Sequence, residues 1–425
     1  MMGQLKPSMS PPARRSPSWA GRLLAVVGAG LLLNGCTPRW ELPKVLYIAV
    51  GVSTDQAIDT GTLSDFKSKL EILQSGFQRL YPSTNFQISL YPEDRLVEEM
   101  ANRNRQGLGP DILLVNGETA HQLLRAQLTD SFPITAQQRN AFHPGELKRL
   151  TTANGQLVGL PLLLQTQLAC FNRKRLPLAP ATMQELLAVS ANGLPIGLPS
   201  NVTSLFWTSG SLGGLAGFER ALSGADPTPE ERAGIERWLA WLQDASYQQR
   251  VIFYADQQTA ENELIKGQLD WLPCRSTVLL RLRKAMGARL GVAALPNGEF
   301  TEASPVNRLR LIALGRNSSE AGRKLALDFS RFSLNPLTQR NLTLDAQTYL
   351  PANRFVRIPV LSSAVLAAMV TANAQGQQSE SAVNTLQGSD RRLVPLQNLT
   401  NELVFGEVSP KSATTELVRI LREKP

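Results

Sequence analysis

KVLYIAVGV, residues 44–52, is a compact apolar run that predicts a β-strand. The helix expected after it covers residues 63–80, where Leu63, Phe66 and Leu70 begin an apolar pattern of three- and four-residue spacing. The elements then alternate: a strand over 85–91, a helix over 93–104, a strand over 112–115 and a helix over 119–126. This alternation predicts an α/β fold whose first lobe has a mostly parallel sheet with helices on its faces.

Polar residues follow the first and the third of these strands. In parallel α/β sheets, small ligands bind at the carboxyl ends of the strands, where the chain turns into helices. This rule selects six candidate ligand-binding residues: Ser53, Thr54, Asp55, Asn116, Gly117 and Glu118.

The N-terminus has the layout of a secretory signal. Three arginines precede an apolar or glycine run over residues 23–33, and no acidic residue occurs before Glu41. The run has 11 residues, whereas a helix that spans a bilayer needs about 20. We therefore expect residues 1–35 to be a signal peptide and not a permanent transmembrane anchor.

The tetrapeptide Leu33-Asn34-Gly35-Cys36 resembles the bacterial lipobox. The resemblance implies cleavage before Cys36 and attachment of a lipid to its sulfur, which places the mature protein on the periplasmic face of the cell membrane. A soluble secreted protein with a free cysteine is the alternative. If Cys36 carries a lipid, Cys170 and Cys274 are the remaining thiols in an oxidising compartment, and their spacing leaves open whether they form a disulfide.

Part of the net charge of +9 belongs to the signal. Four of the 44 basic residues and none of the 35 acidic ones precede Cys36, so the mature chain keeps 40 basic residues and a net charge of +5. Its basic clusters are short and scattered, without the continuous basic stripe that nucleic-acid binding requires. We therefore exclude nucleic acid as a partner.

The sequence lacks the motifs of common catalytic sites. It has two histidines, His121 and His143, and no His-Glu-x-x-His zinc motif, Gly-x-x-x-x-Gly-Lys phosphate loop or Gly-x-Ser-x-Gly elbow. The glycine-rich stretch 210–217 has no lysine after it, and we interpret it as a place of close helix packing. We predict a protein that is not an enzyme and uses neither a cofactor nor a metal.

Five further stretches occur in an order typical of one known family. They are 109–115 (GPDILLV), 154–161 (NGQLVGLP) leading into 170–173 (CFNR), 180–186 (PATMQEL), 267–273 (GQLDWLP) and 291–296 (GVAALP). They resemble family 1 extracellular solute-binding proteins, the maltose-binding-protein type. Met183 stands where that family usually has tryptophan. The resemblance covers essentially the whole mature chain.

This resemblance implies a type II periplasmic-binding-protein fold, in which two discontinuous α/β lobes are joined by a hinge and enclose an interlobe ligand cleft. The implied boundaries are 40–168 and 297–355 for lobe one, 169–296 and 356–425 for lobe two, and 168–170 and 295–298 for the crossings between them. In such a fold, a bound solute shifts the population of lobes toward the closed state.

The resemblance also implies ligand-binding residues outside the first lobe's strand ends. Gln165 and Thr166 follow the Gly-Leu-Pro turn, Trp207 follows a polar loop, and Trp271 and Arg275 lie where the family has a ligand loop. Trp207 and Trp271 either face the cleft or pack in the core. Arg275 either pairs with an anionic ligand or is ordinary surface charge.

The implied function is that of the substrate-binding lipoprotein of an ABC transporter. We expect a monomer that captures a small solute and delivers it to membrane permease subunits. A sugar, polyol or glycoside is the favoured solute, because members of the family most often bind saccharides. The alternatives are another small solute, namely iron, a polyamine or an organic phosphate, and a ligand-free scaffold lipoprotein of the envelope.

Overall fold

Two β-sheets organise the part of the chain that the structure, a computed structural model, describes: residues 44–52, 58, 60–299, 301–386 and 390–423. In chain order the strands are β1 (Lys44–Val52), β2 (Thr84–Pro92), β3 (Ile112–Val115), β4 (Thr129–Asp130), β5 (Leu160–Gln165), β6 (Gln167–Asn172), β7 (Ile196–Pro199), β8 (Val251–Tyr254), β9 (Trp271–Arg275), β10 (Leu290–Ala293), β11 (Arg308–Gly315) and β12 (Leu350–Pro351).

Helices connect the strands and form the C-terminal region. They are α1 (Thr60–Gln78), α2 (Leu96–Arg105), α3 (Gly117–Arg125), α4 (Ala136–Arg139), α5 (Pro144–Arg149), α6 (Met183–Ala191), α7 (Val202–Leu205), α8 (Trp207–Ser211), α9 (Leu215–Leu222), α10 (Pro229–Ser246), α11 (Gln257–Lys266), α12 (Leu279–Met286), α13 (Glu320–Ser333), α14 (Pro336–Ala346), α15 (Ala364–Gly376), α16 (Glu380–Thr385), α17 (Leu393–Val404) and α18 (Pro410–Arg422). Short 3₁₀ turns occur at Ser276–Val278, Gly287–Arg289 and Val360–Ser362. Within the described residues, none of these helices is both long and apolar enough to cross a bilayer.

The larger sheet has the strand order β12-β5-β11-β3-β1-β2, with β4 paired to β11. β1 pairs in parallel with β2 and β3, whereas β11 runs antiparallel between β3 and β5. The prediction of a mostly parallel sheet is therefore wrong in part. The sheet is mixed because the chain returns late to supply β11 in its middle. We call the residues that supply this sheet, 44–165 and 308–351, lobe one.

The second sheet has the order β10-β6-β9-β7-β8 and draws its strands from residues 167–293. Helices α17 and α18 pack against α10 beside it, and we call this sheet with its helices lobe two. The chain changes sheet at Thr166 and returns within residues 294–307. The expected crossings were 168–170, which begins two residues after Thr166, and 295–298, which lies within 294–307.

The apolar pattern located the first elements closely. β1 and β3 have the predicted bounds, and β2 is one residue longer at each end. α2 begins at Leu96 and not at Glu93, because a turn intervenes in which the Arg95 amide donates to the Pro92 carbonyl. The side chain of Glu93 is thereby available for a contact other than helix capping.

The glycine-rich stretch 210–217 is a place of close packing, as predicted. A Cβ atom on Gly210 would lie 2.5 Å from the Glu302 carbonyl oxygen, and one on Gly217 would lie 2.7 Å from the Glu231 carbonyl oxygen. Such separations are too short for any side chain, so glycine lets α8 and α9 approach neighbouring backbone.

A disulfide joins Cys170 of β6 to Cys274 of β9, with 5.7 Å between their Cα atoms. The two strands are antiparallel neighbours, and Cys170 pairs in register with Leu272, two residues before Cys274. The question that the spacing left open is thus answered by strand pairing. Both cysteines are buried in the core of lobe two.

Reduction of this disulfide is expected to lower the free energy of unfolding by about 4 kcal/mol, because the bridge closes a loop of 104 residues and restricts the unfolded chain. Urea unfolding with and without dithiothreitol measures the difference. The Cys170→Ala/Cys274→Ala protein should unfold at lower urea and should not respond to the reductant. An unchanged midpoint after complete reduction, verified by alkylation of both thiols, would contradict a stabilising role.

Candidate functional site

A cavity of about 290 Å³ lies between the lobes, where strands from both sheets end. Glu93 and Asp94 follow β2, Asn116 follows β3, and Asn201 comes two residues after β7. The volume lies just below the roughly 300–1,000 Å³ typical of small-molecule pockets. We call this cavity the interlobe cleft; its described lining residues are Glu93, Asp94, Asn116, Asn201, Val202, Thr203, Phe206, Phe218, Val306, Arg308, Ala382, Val383, Leu386, Leu393, Val394, Leu396, Gln397 and Asn398.

A buried ion pair between Arg310 and Glu93 fixes the lobe-one wall of the cleft. Arg310 Nη1 lies 2.9 Å from Glu93 Oε2, and both side chains are almost fully buried. Arg310 also donates to the Gly51 carbonyl and, at 2.8 Å, to the Leu114 carbonyl. Glu93 Oε1 accepts the amide of Asn116 at 2.7 Å. One ion pair therefore ties the ends of β1, β2 and β3 to β11.

Gln397 of α17 fixes the lobe-two wall. Its side-chain oxygen accepts the Val202 amide at 2.9 Å, and its nitrogen donates to the Ser200 carbonyl at 2.9 Å. Asn201 caps the short helix α7, since its Oδ1 accepts the Thr203 amide at 3.0 Å. The loop after β7 is thus held in place from both ends.

A larger groove of about 1,530 Å³ lies beside the cleft, between α3 and α5 on one side and α15 and α16 on the other. Val383 of α16 lines both spaces. We call this larger groove the side groove. Its charged and histidine lining residues are Glu118, His121, Arg125, Asp130, His143, Glu146, Arg149, Arg316, Glu380, Asp390 and Arg391.

Many of the charges of the side groove are engaged with one another. Arg149 of lobe one forms an ion pair with Glu380 of α16, and the Arg149 carbonyl oxygen lies 2.8 Å from His121 Nε2. Burial raises the pKa of the Glu146 carboxyl, an effect that the nearby His143 opposes. Strand ends of both sheets lie at the cleft, whereas the described lining of the groove includes strand residues of the lobe-one sheet alone. We therefore take the cleft as the candidate ligand site.

The strand-end candidates divide between the two spaces. Asn116 lines the cleft, and its side chain caps α3 by accepting the Thr119 amide at 2.8 Å. Gly117 and Glu118 line the side groove. The candidates Ser53, Thr54 and Asp55 lie outside the described residues, as does Cys36.

Trp207 and Trp271 do not face the cleft. Both are 0% exposed, and their rings contact each other with centroids 6.0 Å apart. Trp271 begins β9, a strand that lies between β6 and β7 and is buried along its whole length. The expectation of a cleft position is therefore wrong, and the packing alternative is confirmed.

Gln165, Thr166 and Arg275 lie together where the chain changes sheet, and they line neither space. The Thr166 amide donates to Ser276 Oγ at 3.1 Å, and the Ser276 amide donates to the Thr166 carbonyl at 2.8 Å. Arg275 is 5% exposed, which excludes the surface-charge alternative. The structure places these residues in the passage between the lobes and not in the cleft.

Several cleft residues were not among the sequence candidates. Glu93 and Asp94 follow a predicted strand, but the pattern assigned them to the next helix. Arg308 begins β11, and Asn201 belongs to the polar loop before Trp207. The strand-end rule, applied to β2 and β7 as well, would have selected Glu93, Asp94 and Asn201.

Comparison with known proteins assigns the chain to a family. A sequence model described as "Bacterial extracellular solute-binding protein" matches residues 82–368, more than half of the chain. The chain is a bacterial extracellular solute-binding protein. It is accordingly a binding protein and not an enzyme, it acts outside the cytoplasm, and the family resemblance seen in the sequence is confirmed.

The fold of this solute-binding protein is also that of a solved receptor. It is similar to the GacH receptor of Streptomyces glaucescens GLA.O, studied unliganded and in complex with acarbose and an acarbose homolog. The TM-score is 0.71 and the identity 14%, over 91% of this chain and 100% of that one. A match at this identity shows a shared fold and confirms the predicted fold class. No sequence among curated proteins matches the chain.

Arg310→Ala is expected to lower the free energy of unfolding of the solute-binding protein by about 3–5 kcal/mol, because it leaves the buried charge of Glu93 without a partner. The Glu93→Gln/Arg310→Ala protein should recover part of this loss. Urea unfolding gives the values. Arg331→Ala, which removes a half-exposed ion pair with Asp328, is the control and should cost about 1 kcal/mol or less. Equal losses of the free energy of unfolding in Arg310→Ala and Arg331→Ala would show that the buried ion pair is not structurally important.

Proposed function

We propose that this protein captures a sugar, polyol or glycoside in the interlobe cleft and delivers it to the permease subunits of an ABC importer. The observation that carries the proposal is the cleft itself, a cavity of about 290 Å³ at the strand ends of both lobes with polar groups on each wall. The complexes of the structurally similar GacH receptor with acarbose and an acarbose homolog support a solute of saccharide type.

Transport by such a protein requires a bound form that the permease can distinguish from the free one. A solute that contacts Asp94 on lobe one and Asn398 on lobe two can make both contacts only when the lobes are close. Its affinity for the closed state then exceeds its affinity for the open state, and binding shifts the population toward closure. The ion pair between Arg149 and Glu380 supports this idea, because it joins lobe one to α16 beside the cleft.

Binding is tested first with a thermal-shift screen of sugars, polyols and glycosides. A specific solute should raise the melting temperature by an amount that grows with the logarithm of its concentration above Kd, because it stabilises only the folded protein. Calorimetry then compares Asp94→Asn and Asn398→Ala with the wild-type protein. Each variant should weaken binding about tenfold, which corresponds to the loss of roughly one hydrogen bond from each wall.

Two matched variants control for effects on folding. Glu98→Gln changes a carboxylate four residues after Asp94, and Gln248→Ala removes an exposed amide of lobe two; neither residue lines the cleft. Both should bind like the wild-type protein. If no small solute shifts the melting curve, the scaffold alternative becomes the better explanation. If iron, a polyamine or an organic phosphate gives the only shift, the assignment to saccharides is wrong.

Anchoring through a lipid on Cys36 is part of the same proposal. The lipobox-like Leu33–Cys36 sequence and the extracytoplasmic family support it. Cys36→Ala should abolish metabolic labelling with a radioactive fatty acid, because no other cysteine occurs in such a sequence. Cys274→Ala is the control and should leave the labelling intact. Persistent labelling of the Cys36→Ala protein would overturn the lipid assignment without affecting solute binding.

A further inference from the structure

The two walls of the interlobe cleft differ in chemistry. Every described lining residue that belongs to lobe one is polar or charged: Glu93, Asp94, Asn116 and Arg308. Asp94 is exposed and suits hydroxyls or other hydrogen-bonding groups of a ligand, whereas both Glu93 carboxylate oxygens and Asn116 Oδ1 accept hydrogen bonds within the protein.

The opposite wall is largely aliphatic. Lobe two and the segments beside it supply Val202, Val306, Val383, Leu386, Leu393 and Leu396 to the lining. Val394 also lines the cleft and is 68% exposed, so an apolar surface faces the cavity on this side. Val306, Val383, Leu386 and Leu396 are at most 8% exposed, so the surface open to apolar ligand atoms is mainly that of Val202, Leu393 and Val394.

Polar groups on the aliphatic wall are mostly engaged within the protein. Asn201 Oδ1 accepts both the amide and the hydroxyl of Thr203, at 3.0 and 2.6 Å. Gln397 bonds through its side-chain oxygen to the Val202 amide and through its nitrogen to the Ser200 carbonyl. Apart from the exposed Asn398, the described wall therefore offers a ligand mainly carbon.

Among the described lining residues, the aromatic side chains do not offer a sugar an open ring face. Phe206 is 5% exposed and Phe218 is 1% exposed, and their rings contact each other edge to face at 4.9 Å. Each also contacts Trp238 edge to face. A sugar ring placed against the aliphatic wall would bury hydroxyls without partners, which is unfavourable.

We propose that the ligand is amphipathic: a glycoside whose sugar lies against lobe one and whose alkyl or aryl substituent lies against lobe two. This inference rests on the proposed function and narrows its solute class. The sugar hydroxyls bond to Asp94 and Asn398, and the substituent covers Val202, Leu393 and Val394, the more exposed aliphatic residues of the wall. A bare sugar leaves these aliphatic side chains uncovered.

Calorimetry with alkyl glycosides of increasing chain length tests whether the cleft has a polar wall and an aliphatic wall. The probes are glucose, galactose and mannose, with the methyl, propyl and pentyl glycosides of each. For the sugar that binds, each extension by two methylenes should tighten binding about 15-fold until the cavity is filled, the equivalent of about 0.8 kcal/mol per methylene. Equal affinity of the methyl and pentyl glycosides would overturn the inference and leave the proposed function standing. Failure of every sugar and glycoside to bind would overturn both.

A substitution on the exposed part of the aliphatic wall provides the second measurement. Val394→Thr keeps the shape of an exposed side chain and makes it polar. It should weaken binding of the pentyl glycoside about threefold or more and leave the methyl glycoside unchanged. Val360→Thr, an exposed valine outside the cleft, is the control and should change neither affinity. If Val394→Thr weakens both glycosides equally, the substituent does not lie on this wall and the inference is wrong.

Discussion

The pairing of Arg310 with Glu93 is the contact on which the lobe-one wall of the cleft depends. Arg310 enters on the antiparallel strand β11 and binds the carbonyl ends of β1 and β3, while Glu93, just after β2, accepts the amide that begins the turn into α3. A buried ion pair is a costly way to join strands unless its remaining hydrogen-bonding groups are also satisfied. Here Arg310 also bonds to the Gly51 and Leu114 carbonyls and Glu93 to the Asn116 amide, which explains why two charges can lie beneath the candidate ligand site.

The local apolar pattern predicted individual strands, whereas it did not predict how distant strands pair in the sheet. The apolar runs of β1 and β3 are short, unbroken and bounded by polar residues, so their limits follow from the sequence alone. The position of β11 in the sheet does not follow from the sequence alone. Residues Arg308–Gly315 have the pattern of an ordinary strand, and no neighbouring residue indicates that this strand inserts between β3 and β5. Family resemblance supplied the two-lobe architecture, which periodicity could not.

The site was harder to predict than the fold. The strand-end rule selected Asn116, which lines the cleft, but Glu93 and Asp94 were assigned to a helix that in fact begins at Leu96. Trp207 and Trp271 were chosen because large aromatic rings are common in saccharide sites, yet the same rings are favoured in cores. Flanking residues do not distinguish the two environments, since burial of Trp271 follows from the position of β9 between two other strands.

The late arrival of β11 also sets an order of assembly. The lobe-two strands come from one continuous stretch, residues 167–293, whereas residues 44–165 cannot complete their sheet without Arg308–Gly315. Until that strand docks, β3 and β5 each present an unpaired edge, a feature that invites pairing with other chains. Contacts between such distant parts of a sequence also slow folding. For an exported chain, a binding-competent cleft exists only after translocation has delivered residues far beyond the last strand of lobe two.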